Sequence, residues 1–170
     1  PTTTPLATAR QNVAYTTTAA GSGGVVASYT WSVTAGSLPA GVTLAASTGV
    51  LSGTPSGTGT ASFSLTLGDG LETVTKAFTL PVTAALAIST TSPLGAGIQN
   101  DAYTSTLTGA GGAPGSYAWS VTVGSVPTGT SLDTGTGVLS GTPTGFGVSS
   151  FTAQLTDGIQ TVTKAFSLTV

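Results

Sequence analysis

Displaced by 88 residues, the chain reads nearly as itself: Tyr15 falls on Tyr103, Trp31 on Trp119, Pro55 on Pro143, Phe78 on Phe166 and Val82 on Val170. No gap is needed, and residues 1–82 share about 47 identities in 82 with residues 89–170. A duplication of this length limits the fold sharply. Solenoid repeats of roughly 20 to 45 residues must stack to bury a core, whereas a unit of about 88 residues can enclose a core of its own. The reading is two independent domains in tandem.

Within each unit the local pattern is that of strands. Tyr29, Trp31 and Val33 share one parity and Thr30, Ser32 and Thr34 the other, as in a strand with one buried face. Phe63, Leu65 and Leu67 alternate in the same way, as do Val74, Phe78, Leu80 and Val82. Turn formers separate the runs: Gly21 to Gly24, Leu38-Pro39-Ala40-Gly41, Gly53-Thr54-Pro55, and the hairpin signal Asp69-Gly70. No window carries a helical stripe, and Gly, Thr, Ser and Val are poor helix formers. Many short strands at even spacing predict an all-β chain of two tandem immunoglobulin-like Greek-key β-sandwiches.

The repeat frame sets the domains at 1–83 and 84–170. Leu86-Ala87-Ile88 reads as the opening strand of the second, after the short junction Thr83-Ala84-Ala85. The counterpart of Leu86-Ala87-Ile88 falls ahead of Pro1, so the first domain is expected to have a truncated first strand. Two readings stay open: an excerpt from a longer array, or a subunit whose strand a neighbour supplies by strand addition.

Composition removes most chemistry. Charged residues are 5% of the chain, against about 25% in an ordinary globular domain. Arg10, Lys76 and Lys164 cannot build a nucleic-acid footprint or an anionic-lipid patch. No apolar run is long enough for membrane insertion. With no Cys and no His there is no disulfide framework, thiolate site or imidazole base. No cofactor or metal is expected.

The remaining candidates are few. The acids are Asp69, Glu72, Asp101, Asp133 and Asp157; Glu72 becomes Gln160 in the second unit and Asp133 faces Ala45, so no carboxylate pair suited to glycoside hydrolysis recurs. Asp69 and Asp157 precede Gly in hairpins, where Asp is favoured for its bonds to the backbone. Calcium at the domain junction would draw on Asn100, Asp101 and Asp69, a set with too few oxygens. Trp31 and Trp119, with Tyr15, Tyr29, Tyr103 and Tyr117, read as core or corner residues; an exposed sugar-stacking platform is the alternative for the tryptophans. Lys76 and Lys164, one per unit, share parity with the apolar positions and by strict alternation point inward. A bulge at the strand start or snorkelling past the core edge explains this. The sharper alternative is an isopeptide crosslink, with Lys76 attacking Asn12 beside Asp69, and Lys164 attacking Asn100 beside Asp157.

The motifs Tyr29-x-Trp31, Leu38-Pro39-x-Gly41, Thr48-Gly49-Val50-Leu51-Ser52-Gly53-Thr54-Pro55 and Asp69-Gly70 recur as Tyr117-x-Trp119, Val126-Pro127-x-Gly129, Thr136 to Pro143 and Asp157-Gly158. In these the chain resembles the immunoglobulin-like repeats of bacterial and archaeal surface proteins, relatives of cadherin-like, dystroglycan-type modules. The resemblance implies seven-stranded sandwiches in secreted multidomain proteins, used as spacers, adhesive modules or stalks, with no catalytic residues. The acidic calcium motifs of true cadherins are missing here.

The expected function is therefore a non-enzymatic structural or spacer module of an extracellular or cell-surface assembly, a stalk, filament or appendage. Its partners are neighbouring repeats or subunits. The alternative is an adhesin or carbohydrate-binding module that meets a surface glycan through the loops Gly21 to Gly24 and Gly109 to Gly112.

Overall fold

The computed structural model describes residues 2, 4–113 and 115–170. The chain divides into two compact units, Pro1–Ala85 and Leu86–Val170. Both are built from strands, with one 3-10 turn at Val26–Ser28.

In the first unit the strands are β1 (Ala9–Arg10), β2 (Tyr15–Thr18), β3 (Thr30–Gly36), β4 (Val42–Leu44), β5 (Val50–Gly53), β6 (Gly59–Gly68) and β7 (Thr73–Thr83). One sheet runs β1-β7-β6-β3 and the other β2-β5-β4. Neighbours are antiparallel except β1, which lies parallel to the end of β7 with Ala9 opposite Val82. The chain changes sheet between β1 and β2, between β2 and β3, between β3 and β4, and between β5 and β6. That is the Greek-key route through a sandwich, with β4-β5 and β6-β7 as the hairpins that stay within one sheet.

Alternation fixes which side chains meet. Trp31 on β3, Phe63, Leu65 and Leu67 on β6, and Phe78, Leu80 and Val82 on β7 are buried against Val42 and Leu51 of the opposite sheet. Each such Leu or Phe contributes about 1.5–3 kcal/mol by leaving water. The Thr and Ser between them face outward, where Thr66 bonds to both Thr34 and Thr75 across the strands at 2.9 and 2.7 Å. Phe63 stacks on Phe78 with ring centres 6.2 Å apart, and Phe151 on Phe166 at 5.7 Å.

The second unit repeats the plan with β8 (Ala87–Ile88), β9 (Tyr103–Thr106), β10 (Gly109–Ala110), β11 (Ala118–Gly124), β12 (Thr130–Leu132), β13 (Val138–Gly141), β14 (Val148–Thr156) and β15 (Thr161–Thr169). Its sheets are β11-β14-β15 and β12-β13-β9, with β8 paired to β10 beside them. Both units carry one register shift on the Trp strand, after Val33 and after Val121, where a bulge increases the local twist.

The architecture is the pair of sandwiches that the repeat and the strand pattern predict. Two local expectations change. The bulge expected at the start of the Lys strand is absent, since β6 and β7 pair without a break from Gly59 opposite Val82 to Gly68 opposite Thr73. The hairpin turn also centres one residue later than Asp-Gly indicates. Gly70 and Leu71 are its central pair, because Asp69 N–H bonds the Glu72 carbonyl while the Glu72 N–H turns to the Asp69 carboxylate.

Candidate functional site

The two tryptophans are core residues: Trp31 is 9% and Trp119 3% exposed. Gly49 and Gly137 explain part of the Thr-Gly-Val-Leu-Ser-Gly-Thr-Pro motif. Each takes a positive φ, 71° and 73°, and a Cβ on Gly49 would sit 2.8 Å from the Trp31 indole nitrogen. Only glycine lets the backbone lie that close to the ring in that conformation. Pro55 and Pro143 close the motif as fully buried residues.

The tyrosines brace loops. Tyr29 hydroxyl donates to the Gly23 carbonyl and Tyr117 hydroxyl to Gly111, so each ties a glycine-rich loop to the start of the Trp strand. Tyr103 hydroxyl donates to Gly95 at 3.0 Å. The buried hydroxyl of its counterpart Tyr15 has no partner at full hydrogen-bonding geometry among the described residues, and burial, partly opposed by the Thr17 side chain, pushes that phenol above its usual range.

The carboxylates serve the backbone. Asp69 accepts N–H bonds from Val25 at 3.0 Å, Leu71 at 3.0 Å and Glu72 at 2.8 Å. Those donors, Glu72 foremost, hold its carboxyl below the usual range. Asp157 repeats the arrangement on Ala113, Ile159 and Gln160 at 2.9, 3.0 and 2.7 Å, and is 4% exposed. One acid thus orders a hairpin turn and pins to it a loop 44 residues earlier. Asp133 does a local version: the Thr136 hydroxyl, the Thr136 N–H and the Gly135 N–H bond to it and lower its carboxyl. Among the described residues no group of three or more His, Cys, Asp or Glu side chains comes together to hold a metal ion.

Lys76, Asn12 and Asp69 are not brought together. Lys76 lies opposite Leu65 in the middle of β7 and its side chain is exposed. Asn12 follows β1, which pairs at Val82 and Thr83 at the far end of β7. Six strand residues separate Lys76 from Val82, about 20 Å. In the second unit Gly97 N–H bonds the Thr169 carbonyl, five residues beyond Lys164, and Asn100 follows from there. Asn12 and Asn100 instead occupy left-handed backbone, φ 62° and 64°, which Asn tolerates better than most side chains. Both lysines do point to the inner face, as alternation requires, and extend past its edge. Lys76 Nζ sits 5.5 Å from the Phe78 ring centre and bonds the Thr2 carbonyl; Lys164 Nζ bonds the Ile88 carbonyl at 3.4 Å.

A family model described as "Putative Ig domain" matches residues 1–83 and again residues 85–170. The chain belongs to that family. No curated protein matches these Ig units. Among solved structures, an I-band fragment of titin matches at a TM-score of 0.56 and 12% identity, over 96% of this chain and 62% of that one. The protocadherin gammaB7 cis-dimer matches at 0.48 and 15%, over 98% and 49%. An endo-fucoidan hydrolase of glycoside hydrolase family 107 matches at 0.41 and 21%, over 99% and 28%. The Ig pair therefore spans less than two thirds of each of these chains, and at such identities the likeness is one of fold.

Two functional details escape sequence reasoning. Gln160 Oε1 accepts the Leu86 N–H at 3.0 Å, and Gln11 Oε1 accepts the Ala85 N–H at 3.4 Å. Each junction residue is thereby tied to its own unit. The signal available was that Gln11 and Gln99 match across the repeat while Glu72 and Gln160 do not.

Proposed function

We propose that the chain is a non-enzymatic structural module, a spacer within an extracellular or cell-surface assembly such as a stalk, filament or appendage, whose partners are neighbouring repeats or subunits. The observation that carries this reading is the repetition: two Ig units, each with a buried core of its own, follow each other in one chain. The side chains with chemical potential also point this way, since Asp69, Asp157 and Asp133 are engaged by backbone donors and the tryptophans fill the cores.

The carbohydrate-binding alternative draws less support. It needs aromatic faces beside the glycine-rich loops, and there Tyr29 and Tyr117 have their hydroxyls on loop carbonyls while Trp31 and Trp119 are buried. Stretching single molecules by their ends tests the spacer. Two separate unfolding events, each releasing about one repeat of chain, are expected. Extension without force peaks would remove the reading, and saturable binding on a glycan array would move it to the alternative.

A further inference from the structure

Two units this alike in sequence make their surface differences informative. On and beside the outer face of the β11-β14-β15 sheet, the second unit carries apolar residues where the first carries small or polar ones: Val123 against Ala35, Phe146 against Thr58, and Val148 against Thr60. All three lie in water, at 65%, 87% and 67% exposure. Phe146 is the exception among eleven aromatic residues, since the other ten fill or line the two cores. Chain running on past a unit does not cover these positions: in the first unit, which continues through Thr83 to Ala85, Thr58 and Thr60 are exposed as well. Uncovered apolar groups gathered on one face mark a contact surface.

The same face carries a hollow of about 330 Å³, lined by Val123, Ser150, Thr152, Ala165 and Ser167. Small side chains make it, with Ser150 opposite Ser167 and Thr152 opposite Ala165. An apolar cavity of about 150 Å³ already admits benzene, so a phenyl ring has room here. Phe146 stands two residues ahead of Val148 at the start of β14, and four residues, about 13 Å of extended chain, from Ser150. Strands β11, β14 and β15 bear no charged side chain except Lys164, which points to the inner face. Another surface can therefore close over this one without stripping water from an ion.

We propose that the outer face of the second unit binds the same face of a second copy of the chain. Knob and hollow belong to one face, so a two-fold axis crossing β14 at Val148, midway between Phe146 and Ser150, seats each Phe146 ring in the other copy's hollow. A partner of another kind would have to bring a matching knob and hollow of its own; a second copy has both. At the axis Val148 meets its own counterpart. Size sets the strength. Three strands of seven to nine residues make a face about 14 Å by 30 Å, roughly 400 Å² per copy, where a stable complex buries about 800 Å² per partner. The contact is weak between free chains and becomes effective when many chains are held side by side. The inference deepens the spacer reading and rests on it, giving neighbouring chains of an assembly a lateral contact through one unit of each pair.

Sedimentation of the chain from micromolar to millimolar concentration reads the association. A concentration-dependent dimer is expected, and Phe146→Thr, which installs the first unit's residue at an exposed position, should weaken it about tenfold or more. Facing sheets pack about 10 Å apart, beyond the reach of a disulfide, so the axis is read with a short bis-maleimide linker on a chain that has no cysteine of its own. Val148→Cys is expected to crosslink into covalent dimers, and Thr60→Cys, at the same place on the first unit, to stay monomeric. A chain that remains monomeric at millimolar concentration, a dimer unchanged by Phe146→Thr, or crosslinking at position 60 equal to that at 148 overturns the proposal. Two unfolding events under force in a chain that never dimerises would sink this inference and leave the spacer reading standing; a dimer whose chains extend without force peaks would do the reverse.

Discussion

Two sandwiches with about 47 identical positions in 82 differ most where the sequence comparison has nothing to align. In the second, Leu86 and Ile88 pack into the core with Trp119 and Val162; in the first, Thr2 reaches the matching face, its carbonyl on the Lys76 ammonium and its hydroxyl on the Ala20 N–H. The long strands and the hairpin turn with its Asp anchor form in both, whereas the β1 pairing belongs to the first unit and the β8-β10 pairing to the second. The lesson is that in the second unit the repeat in sequence and the folding unit in space are offset, since part of that core is carried on Leu86.

The comparison can be broken most severely at Leu86. Leu86→Ala should destabilise the second unit by about 2–5 kcal/mol and leave the first unchanged, seen as a selective loss of amide protection at Gly109 to Gly112 in chemical denaturation followed by NMR. An effect shared by both units would overturn the placing of Leu86 in the second core alone.

Next in size is the buried anchor. Asp157→Ala strips partners from the N–H groups of Ala113, Ile159 and Gln160 and should cost about 3 kcal/mol in the second unit by urea denaturation. Asp69→Ala, at the more exposed equivalent, should act in the same direction with a smaller shift of the midpoint. Equal shifts would mean that burial does not distinguish the two anchors.

Acid should expose the carboxylates more gently. Hydrogen bonds depress Asp69 and Asp133 in the folded state, so their contribution to stability is full above the unfolded carboxylate value, near 3.9, and is lost as pH falls from there through the folded values. Denaturation midpoints should hold between pH 5 and 7 and decline below about pH 4. Asp133→Asn should reduce the acid slope of the second unit alone, because Ala45 stands at that position in the first.

The smallest effect is expected at the second lysine. Lys164→Ala loses one long bond to the Ile88 carbonyl and should lower the stability of the second unit by about 0.5–1 kcal/mol in the same titration. A larger loss would give the ammonium handle a greater part in holding β8 than its geometry shows.

Much of the fold could be read from the residues because period and turn chemistry act locally. The parity of Trp31 with Tyr29 and of Phe63 with Leu65 and Leu67 needs no partner to be informative. The site was less legible, for a physical reason: its contacts join residues far apart along the chain. Nothing near Asp69 announces that its carboxylate accepts from Val25 as well as from its own turn. Lys76 and Asn12, one of each per unit at matching positions, invite a chemical pairing. The parallel seat of β1 at the end of β7 puts them about six strand residues apart, where each answers a separate backbone need. The lysines face inward as their parity predicts, Lys76 exposed with its ammonium on the Thr2 carbonyl and Lys164 half-buried with its ammonium on the Ile88 carbonyl.

The carboxylate anchors carry a consequence for the setting in which such a chain must last. Attraction between exposed ions fades within about 8–10 Å at ordinary ionic strength, and sooner in brine. Asp69 and Asp157 are held by backbone amides at hydrogen-bonding distance, a tie that dissolved salt hardly weakens. Loops fastened in this way keep their shape in seawater as in fresh water.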